Sequence, residues 1–179
     1  MRTTWKWGWV GGLALAMQVS VASAEAQTSA LEGSYILVPE ESADVRAAVR
    51  AGTEKANFFV RNFGRGVLER SLEPADTLRI TFDEGGVSIT TKDGDVLHTP
   101  LDGAPVEVRN SAGEMERVTT DRVDGSLRRL FDAGKGTREF FYALEQDGTA
   151  LSVSVEVRSS MFPEPIRYRL LYARLSDGR

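Results

Sequence analysis

The chain has 179 residues, with 22 Lys and Arg, 26 Asp and Glu, one His and no Cys, so its formal net charge is −4. The absence of Cys excludes disulfides, thiol catalysis and a lipid-modified N-terminal Cys. The acidic balance argues against general nucleic-acid binding. We therefore expect one domain that is stabilised by its hydrophobic core alone.

The N-terminus has the pattern of a secretory signal peptide. Arg2 and Lys6 precede a largely apolar stretch, residues 10–21, that is too short to span a bilayer. Ala22-Ser23-Ala24 has the small residues of a cleavage site, and residues 24–26 form an overlapping alternative. Removal of the segment removes two positive charges and leaves a net charge of about −6.

This pattern predicts the domain organisation. Residues 1–24 are the expected signal peptide, residues 25–30 a disordered leader and residues 31–179 a single domain. We expect the mature protein to be periplasmic or secreted, a bacterial export product without a lipid anchor, and a monomer.

A helical segment interrupts the first part of the domain. Residues 31–38 form an alternating strand that Pro39 ends. Residues 42–72 then show apolar positions at intervals of three and four, with Ser42 as the expected N-cap. Gly64 and Gly66 are expected to break or end the helix, so one helix and two helices both remain open. The apolar positions are Val45, Val49, Gly52, Ala56, Phe59, Phe63 and Val67.

The rest of the chain has the pattern of strands separated by glycine turns. Asp-Gly pairs such as Asp124-Gly125 and Asp147-Gly148 supply the positive φ of tight hairpins. Between the turns apolar and polar residues alternate, as in Leu78, Ile80 and Phe82. The predicted strands are 77–83, 86–92, 95–99, 104–110, 115–123, 126–132, 136–145, 149–159 and 166–174.

These elements predict a mainly β fold, an antiparallel up-and-down meander of about 8–10 strands closed into a barrel. Charged residues on the outward positions, such as Arg79 and Glu107, indicate that the apolar face points inward. One or two helices after the first strand would cap the barrel. With about ten strands the interior is wider than side chains easily fill.

The order of elements, together with Gly33-Ser34-Tyr35 on the first strand, resembles the calycin group of lipocalins and fatty-acid-binding proteins. Lipocalins carry Gly-x-Trp at that place, and a late Arg that packs over the aromatic ring. Arg167, Arg169 and Arg174 are the candidates for this Arg. The closing Arg-x-Tyr of the intracellular fatty-acid binders is absent here. The resemblance implies an apolar small ligand inside the barrel, and a helical lid over its mouth.

Two arginines stand at positions that alternate with apolar residues. Arg129 lies between Leu127 and Phe131, and Arg138 precedes Phe140 in the next strand. If both point inward, a ligand carboxylate would neutralise them, because an unpaired interior charge is costly. A register shifted by one residue would turn both to solvent, and we favour that arrangement. The tyrosines are expected mainly as core residues, with Tyr35, Tyr142 and Tyr168 as candidate ligand contacts.

The helical segment carries an excess of positive charge, which is unusual in this acidic chain. Arg46, Arg50, Arg61 and Arg65 lie on one side if the helix is continuous. A basic amphipathic helix can contact an anionic membrane. A solvated helix face is the alternative, and we favour it.

Catalytic and metal sites have little support in the sequence. His98, the only histidine, stands at a strand end, and Asp93-Gly94-Asp95 lacks the rest of a calcium loop. No serine elbow or nucleophile–base pair is recognisable. We therefore expect a non-catalytic barrel without cofactor or metal that binds a lipid or acyl chain. The alternative is an envelope protein-interaction or structural domain with a filled core.

Overall fold

The computed structural model describes residues 30–91, 94, 96–110 and 113–176, and for Phe63 within them only the backbone. The predicted signal peptide and nearly all of the predicted leader lie outside the described residues. Asp93 and Asp95 lie outside them as well.

Ten antiparallel strands form a single sheet that curls into a nearly closed barrel. Their bounds agree with the predicted strands to within two residues, because the Asp-Gly turns and the alternation mark both ends. The strands are β1 Gly33–Leu37, β2 Thr77–Asp83, β3 Gly86–Thr91, β4 Val96–Thr99, β5 Val106–Arg109, β6 Met115–Val123, β7 Ser126–Asp132, β8 Gly136–Leu144, β9 Ala150–Ser159 and β10 Ile166–Arg174.

Each strand pairs with its neighbours in the chain, and β1 also pairs with β10. The ladder is interrupted only between β4 and β5. There the chain just after β4 joins β6 directly, through an isolated bridge of Asp102 with Asp121 and a hydrogen bond from the Gly103 amide to the Thr120 carbonyl at 3.1 Å. The segment 99–103 and β6 therefore form the seam that closes the barrel.

Alternation along the strands decides which side chains face the interior. In β9 the side chains of Leu151, Val153, Val155 and Val157 are buried, and the residues between them are not. In β10 the same holds for Ile166, Tyr168, Leu170 and Tyr172. The core is thus the inside of the barrel, as the sequence predicts.

One glycine permits the close approach of β3 to the chain that follows β4. Gly86 has φ 152°, and a Cβ there would lie 2.1 Å from the carbonyl oxygen of Thr99. Any other residue would separate the two segments.

The late arginine of the calycin resemblance is Arg174. Its guanidinium lies 5.6 Å from the ring centre of Tyr35 and donates hydrogen bonds to the carbonyls of Ala30 (2.9 Å) and Glu32. The Tyr35 hydroxyl donates to the Leu31 carbonyl at 2.7 Å. Gly33 leaves room for this arrangement, since a Cβ there would lie 3.1 Å from Arg174 Nε. Arg167 and Arg169 point outward, to Glu156 and Glu145.

The helical segment differs from the prediction at its start. A 3₁₀ helix, Pro39–Glu41, precedes α1, Val45–Gly52. The N-cap is Asp44, whose carboxylate accepts from the Ala47 amide at 3.1 Å, so the prediction of Ser42 is wrong. Ser42 donates instead to the Val38 carbonyl at 2.8 Å, and its hydroxyl accepts from the Leu171 amide at 3.0 Å. It thereby fixes the chain to β10.

The helix is interrupted earlier than its glycines predict. Residues 53–57 are not helical, and a π-helical turn, Val60–Gly64, leads straight into α2, Arg65–Ser71. Gly66 lies inside α2 and does not break it. Two separate helices result, and α1 packs on β10 through Gly52, where a Cβ would lie 2.5 Å from Cγ1 of Ile166.

The predicted apolar face is also partly wrong in the second half of this segment. Phe59 and Val67 are exposed, with 68% and 57% of their surface accessible, whereas Val60 is buried. The three- and four-residue spacing assumes a continuous helix, and the irregular residues 53–57 rotate the helical turns after them. No helix among the described residues is long and apolar enough to cross a membrane.

Candidate functional site

The barrel contains a cavity of about 390 Å³ at the end where the helical segment lies. This volume lies within the usual range of small-molecule sites. Its lining combines aliphatic and aromatic side chains with two arginines. The lining residues are Ser71, Leu72, Glu73, Pro74, Ala75, Leu78, Ile89, Thr91, Leu97, Arg129, Phe131, Arg138, Phe140, Tyr142, Val153, Tyr168, Leu170 and Tyr172.

Arg129 is the most deeply buried charged residue in the part of the chain that the structure describes, with 2% of its surface accessible. The shifted register favoured from the sequence is therefore wrong for this residue. Its Nε donates to Thr120 Oγ1 at 3.1 Å, and its Nη2 donates to Thr99 Oγ1 at 2.9 Å and to the Leu97 carbonyl at 3.3 Å. Thr99 also donates to Thr120 at 2.7 Å. Arg129 thus joins β4 to β6 across the seam.

All the partners of Arg129 are neutral oxygens. Within the described residues no carboxylate forms an ion pair with it, and its Nη1 donates to no described residue. Burial lowers the pKa of the guanidinium, which the nearby Tyr142 partly offsets. A buried cation without a counter-ion is costly, so this end of the cavity favours an anion.

Tyr142 lies beside Arg129 on the neighbouring strand, because Leu127 on β7 pairs with Tyr142 on β8. Burial raises the pKa of the phenol, and the charge of Arg129 lowers it by a smaller amount. The Tyr142 hydroxyl makes no hydrogen bond to a described residue, and it is not sealed from the cavity. It is therefore a neutral donor next to an unneutralised guanidinium.

Arg138 lies nearer the mouth and, unlike Arg129, has an anionic partner. Its Nη2 is 2.6 Å from Oε2 of Glu116, a residue with only 6% of its surface accessible. Asn110 donates to the other oxygen, Oε1, at 2.8 Å. The guanidinium also stands 4.9 Å from the ring centre of Phe131. Arg138 too faces the interior, so the shifted register is wrong here as well.

Aromatic rings form one wall between the two arginines. Phe131 and Phe140 meet edge to face with ring centres 5.6 Å apart, and Phe140 stacks on Tyr142 at 6.3 Å. These contacts hold the wall in one arrangement, and all three aromatic residues line the cavity.

The turn after α2 covers the cavity and is tied to β10 by two tyrosines. Tyr172 donates to the Ala75 carbonyl at 3.0 Å, and Tyr168 to the Leu72 carbonyl at 3.5 Å. Burial raises the pKa of Tyr168 to about 12, and it raises that of Tyr172 further. Residues 71–75 therefore form the lid, which is narrower than the whole helical segment that the sequence implied.

The structure separates the predicted contact residues into two groups. Arg129, Arg138, Tyr142 and Tyr168 line the cavity together, and Tyr35 does not. Tyr35 is fully buried at the other end of the barrel, beneath Arg174.

The four helical arginines lie in separate elements, since Arg46 and Arg50 belong to α1 and Arg61 and Arg65 follow the break at residues 53–57. Arg46, Arg50 and Arg61 are exposed, whereas Arg65 is half-buried and donates from Nε to Thr53 Oγ1 at 3.1 Å. His98 is exposed on β4, and its Nδ1 lies 3.1 Å from Ser88 Oγ. Within the described residues no cluster of three His or acidic side chains could hold a metal ion.

Sequence reasoning missed Glu116, Thr99 and Thr120. All three alternate with outward residues on their strands, so an inward polar position was the available signal. Tyr172, expected like the other tyrosines mainly as a core aromatic, also lines the cavity.

Comparison with solved structures agrees with the barrel fold. No protein-family profile and no curated protein sequence matches the chain. Among solved structures, fatty-acid-binding protein 1 of Echinococcus granulosus is similar at a TM-score of 0.52 and 13% identity, over 82% of this chain and 98% of that one. The fold is calycin-like.

Two further solved structures are similar to a comparable extent. Lipid binding protein 8 of Caenorhabditis elegans has a TM-score of 0.54 at 14% identity, and a secretary abundant heat soluble protein of Ramazzottius varieornatus has 0.56 at 9%. Both matches cover 82% of this chain and 96% of the other. At these identities the similarity establishes the architecture alone.

Proposed function

We propose that this calycin-like barrel binds an apolar small molecule with an acidic head group, without catalysis. The observation that carries the proposal is Arg129, a buried guanidinium with no carboxylate partner in a cavity of about 390 Å³. Fatty-acid-binding neighbours support an apolar ligand. The head group would accept hydrogen bonds from Arg129 and Tyr142, while the aromatic wall and the aliphatic residues contact the chain.

The test is displacement of a fluorescent fatty acid by dodecanoate and by dodecanol. We expect dodecanoate to bind more tightly, because only it neutralises Arg129. Arg129→Met should weaken dodecanoate binding by about 10- to 100-fold, the value of one charge-assisted hydrogen bond. The affinity for dodecanol should change far less.

Arg128→Met is the matched control. Arg128 is the preceding residue of β7 and faces outward, where it is 2.6 Å from Asp121. An equal loss of affinity in both variants, or no binding of dodecanoate by the wild type, would refute the proposal. The competing hypothesis, a filled structural barrel, requires the interior to be occupied by side chains, and the cavity counts against it.

Export remains part of the proposal. The test is cell fractionation followed by N-terminal sequencing of the exported protein. We expect a mature N-terminus at Glu25, or at Gln27 for the alternative site. Retention of residues 1–24 in a cytoplasmic protein would contradict it.

A second candidate function, contact with an anionic membrane, is supported by an exposed apolar patch beside the lid. Phe59 and Val67 from the helical segment and Met161 from the β9–β10 connection line one surface groove and are exposed, and Phe58, which precedes Phe59, is 69% exposed. Such a patch is uncommon on a freely soluble monomer. Exposed Arg61 lies in the same segment and would complement anionic lipid head groups.

Vesicle co-sedimentation tests the membrane contact. We expect binding to vesicles with phosphatidylglycerol to exceed binding to pure phosphatidylcholine, and Phe58→Ser and Arg61→Glu each to reduce it. Val96→Ser is the control, since Val96 is an exposed apolar residue on β4. Equal binding by all variants would refute the contact.

A further inference from the structure

The buried side chains around the cavity carry more positive than negative charge. Arg129 and Arg138 both line it, and one buried carboxylate, that of Glu116, pairs with Arg138. Glu73 lies on the exposed rim and forms no ion pair with either arginine. Among the described residues the interior therefore has one positive charge in excess.

The two arginines are close enough to act on one head group. Arg129 on β7 pairs with Phe140 on β8, and Arg138 stands two residues before Phe140 on the same face. Such diagonal neighbours are about 7 to 8 Å apart at the backbone. Arginine side chains span that distance, so a single head group bound at Arg129 lies in the field of Arg138 and of its partner Glu116.

We propose that Glu116 restricts the ligand to a single negative charge. The inference rests on the proposed function, and it specifies the class of ligand as a monoanionic amphiphile. Glu116 lies 2.6 Å from Arg138, and Asn110 donates to its second carboxylate oxygen at 2.8 Å, so the charge of Arg138 is already balanced by a carboxylate held in place. A dianionic head group would also be repelled by Glu116 in a medium that screens charge poorly.

Glu116 is thus a specificity residue that need not touch the ligand. With it, a carboxylate neutralises the remaining excess charge of the cavity. Without it, two guanidiniums face one head group, the arrangement that suits a phosphate monoester.

The experiment compares dodecanoate with dodecyl phosphate at about pH 8, where a phosphate monoester carries two charges. Displacement of a fluorescent fatty acid gives the ratio of their dissociation constants. The wild type should bind dodecanoate about tenfold or more tightly than dodecyl phosphate. Glu116→Gln should reverse the preference, since a change of about 1.4 kcal/mol per charge interaction is tenfold in affinity.

Glu139→Gln is the matched control for Glu116→Gln. Glu139 follows Arg138 on β8. Glu139 faces outward, where its carboxylate is 3.7 Å from Arg128, and this variant should keep the wild-type ratio. The double variant Glu116→Gln/Arg138→Gln restores one excess positive charge, and it should again prefer dodecanoate. Circular dichroism checks that each variant is folded.

Arg138→Gln keeps the inference testable if Glu116→Gln does not fold. It leaves the carboxylate of Glu116 without its cation, so dodecanoate affinity should fall about tenfold or more. An unchanged affinity would overturn the inference. If Glu116→Gln still binds dodecanoate and keeps the wild-type ratio of the two dissociation constants, the inference is overturned and the proposed function stands. If the wild type binds neither dodecanoate nor dodecyl phosphate, both are refuted.

Discussion

The two ends of the barrel differ in how side chains occupy its wide interior. The closed end, which carries the β2–β3, β6–β7 and β8–β9 turns, is filled by Tyr35, Ile80 and Leu127, all without accessible surface. The cavity end leaves about 390 Å³ open beneath the lid. The same alternation produces both, so the difference lies in side-chain size and charge: the closed end places apolar bulk inside, and the cavity end places Arg129 and Arg138 there.

Close packing at the closed end stabilises the fold, whereas the cavity end has fewer packing contacts and contributes less to the free energy of unfolding. Removing side-chain volume should therefore be costly at the closed end and cheaper around the cavity, where a void already exists. Four kinds of change test this contrast, from the largest expected effect to the smallest.

Leu127→Ala should lower the free energy of unfolding by about 2 to 5 kcal/mol, because it opens a cavity in close packing. Leu170→Ala removes the same atoms from the cavity lining, and it should cost clearly less. Urea denaturation followed by circular dichroism measures both. Equal losses would show that the two ends are packed alike.

High pH should destabilise the protein through its tyrosines. All four have pKa values raised by burial, that of Tyr168 to about 12. Above pH 10 the unfolded chain releases phenolic protons that the folded protein retains, so stability falls as the pH rises from about 10 to 12. Tyr168 alone contributes a loss on the order of 2 kcal/mol.

Denaturation at a series of alkaline pH values, with tyrosinate absorbance recorded in parallel, checks this prediction. Tyr168→Phe should flatten the decline. Stability that stays constant up to pH 12 would contradict the burial of the phenols at both ends.

Arg174→Met should lower stability by about 1 to 2 kcal/mol, since it removes the hydrogen bonds to the carbonyls of Ala30, Glu32 and Gly148 and the contact with the Tyr35 ring. Arg167→Met is the control on the outward face of β10, with a smaller expected loss. Thermal unfolding compares the two. Equal effects would mean that the late arginine does not stabilise the closed end.

Loss of a hydrogen bond between β10 and the lid should change the stability least. Tyr172→Phe removes a hydrogen bond of 3.0 Å to the Ala75 carbonyl and should cost about 1 kcal/mol. Tyr168→Phe removes a bond of 3.5 Å and should cost less. Stopped-flow binding of a fluorescent fatty acid should show faster entry in Tyr172→Phe, and an unchanged rate would show that residues 71–75 do not limit access.

Much of the fold could be predicted because its signals are local. The β7 bounds follow from Asp124-Gly125 and the alternation of Leu127, Arg129 and Phe131. The break in the helical segment could not be predicted. The apolar spacing of three and four residues continues through residues 53–57, although these residues are not helical. Pattern alone has no means of locating such a break.

The sequence predicts which side chains point into the barrel, but it does not predict how far along the barrel axis each of them lies. Alternation assigns Tyr35 and Tyr142 equally to the inside, yet only three-dimensional position along the barrel axis places Tyr142 beside Arg129 and Tyr35 at the far end. Glu116 pairs with a residue 22 positions away, two strands across, which no local pattern contains.

Arg129 has a consequence for how this protein can change over evolutionary time. The side chain that would bind the head group also donates to Leu97, Thr99 and Thr120 at the seam. A substitution that alters the ligand there also alters barrel closure, so both properties are selected together at one codon. Among the described residues, Glu116 and Arg138 form no hydrogen bond that joins β4 to β6, so they are not tied to closure at the seam. New ligand preferences are therefore expected to arise first at the mouth of the cavity, with its deepest residue retained.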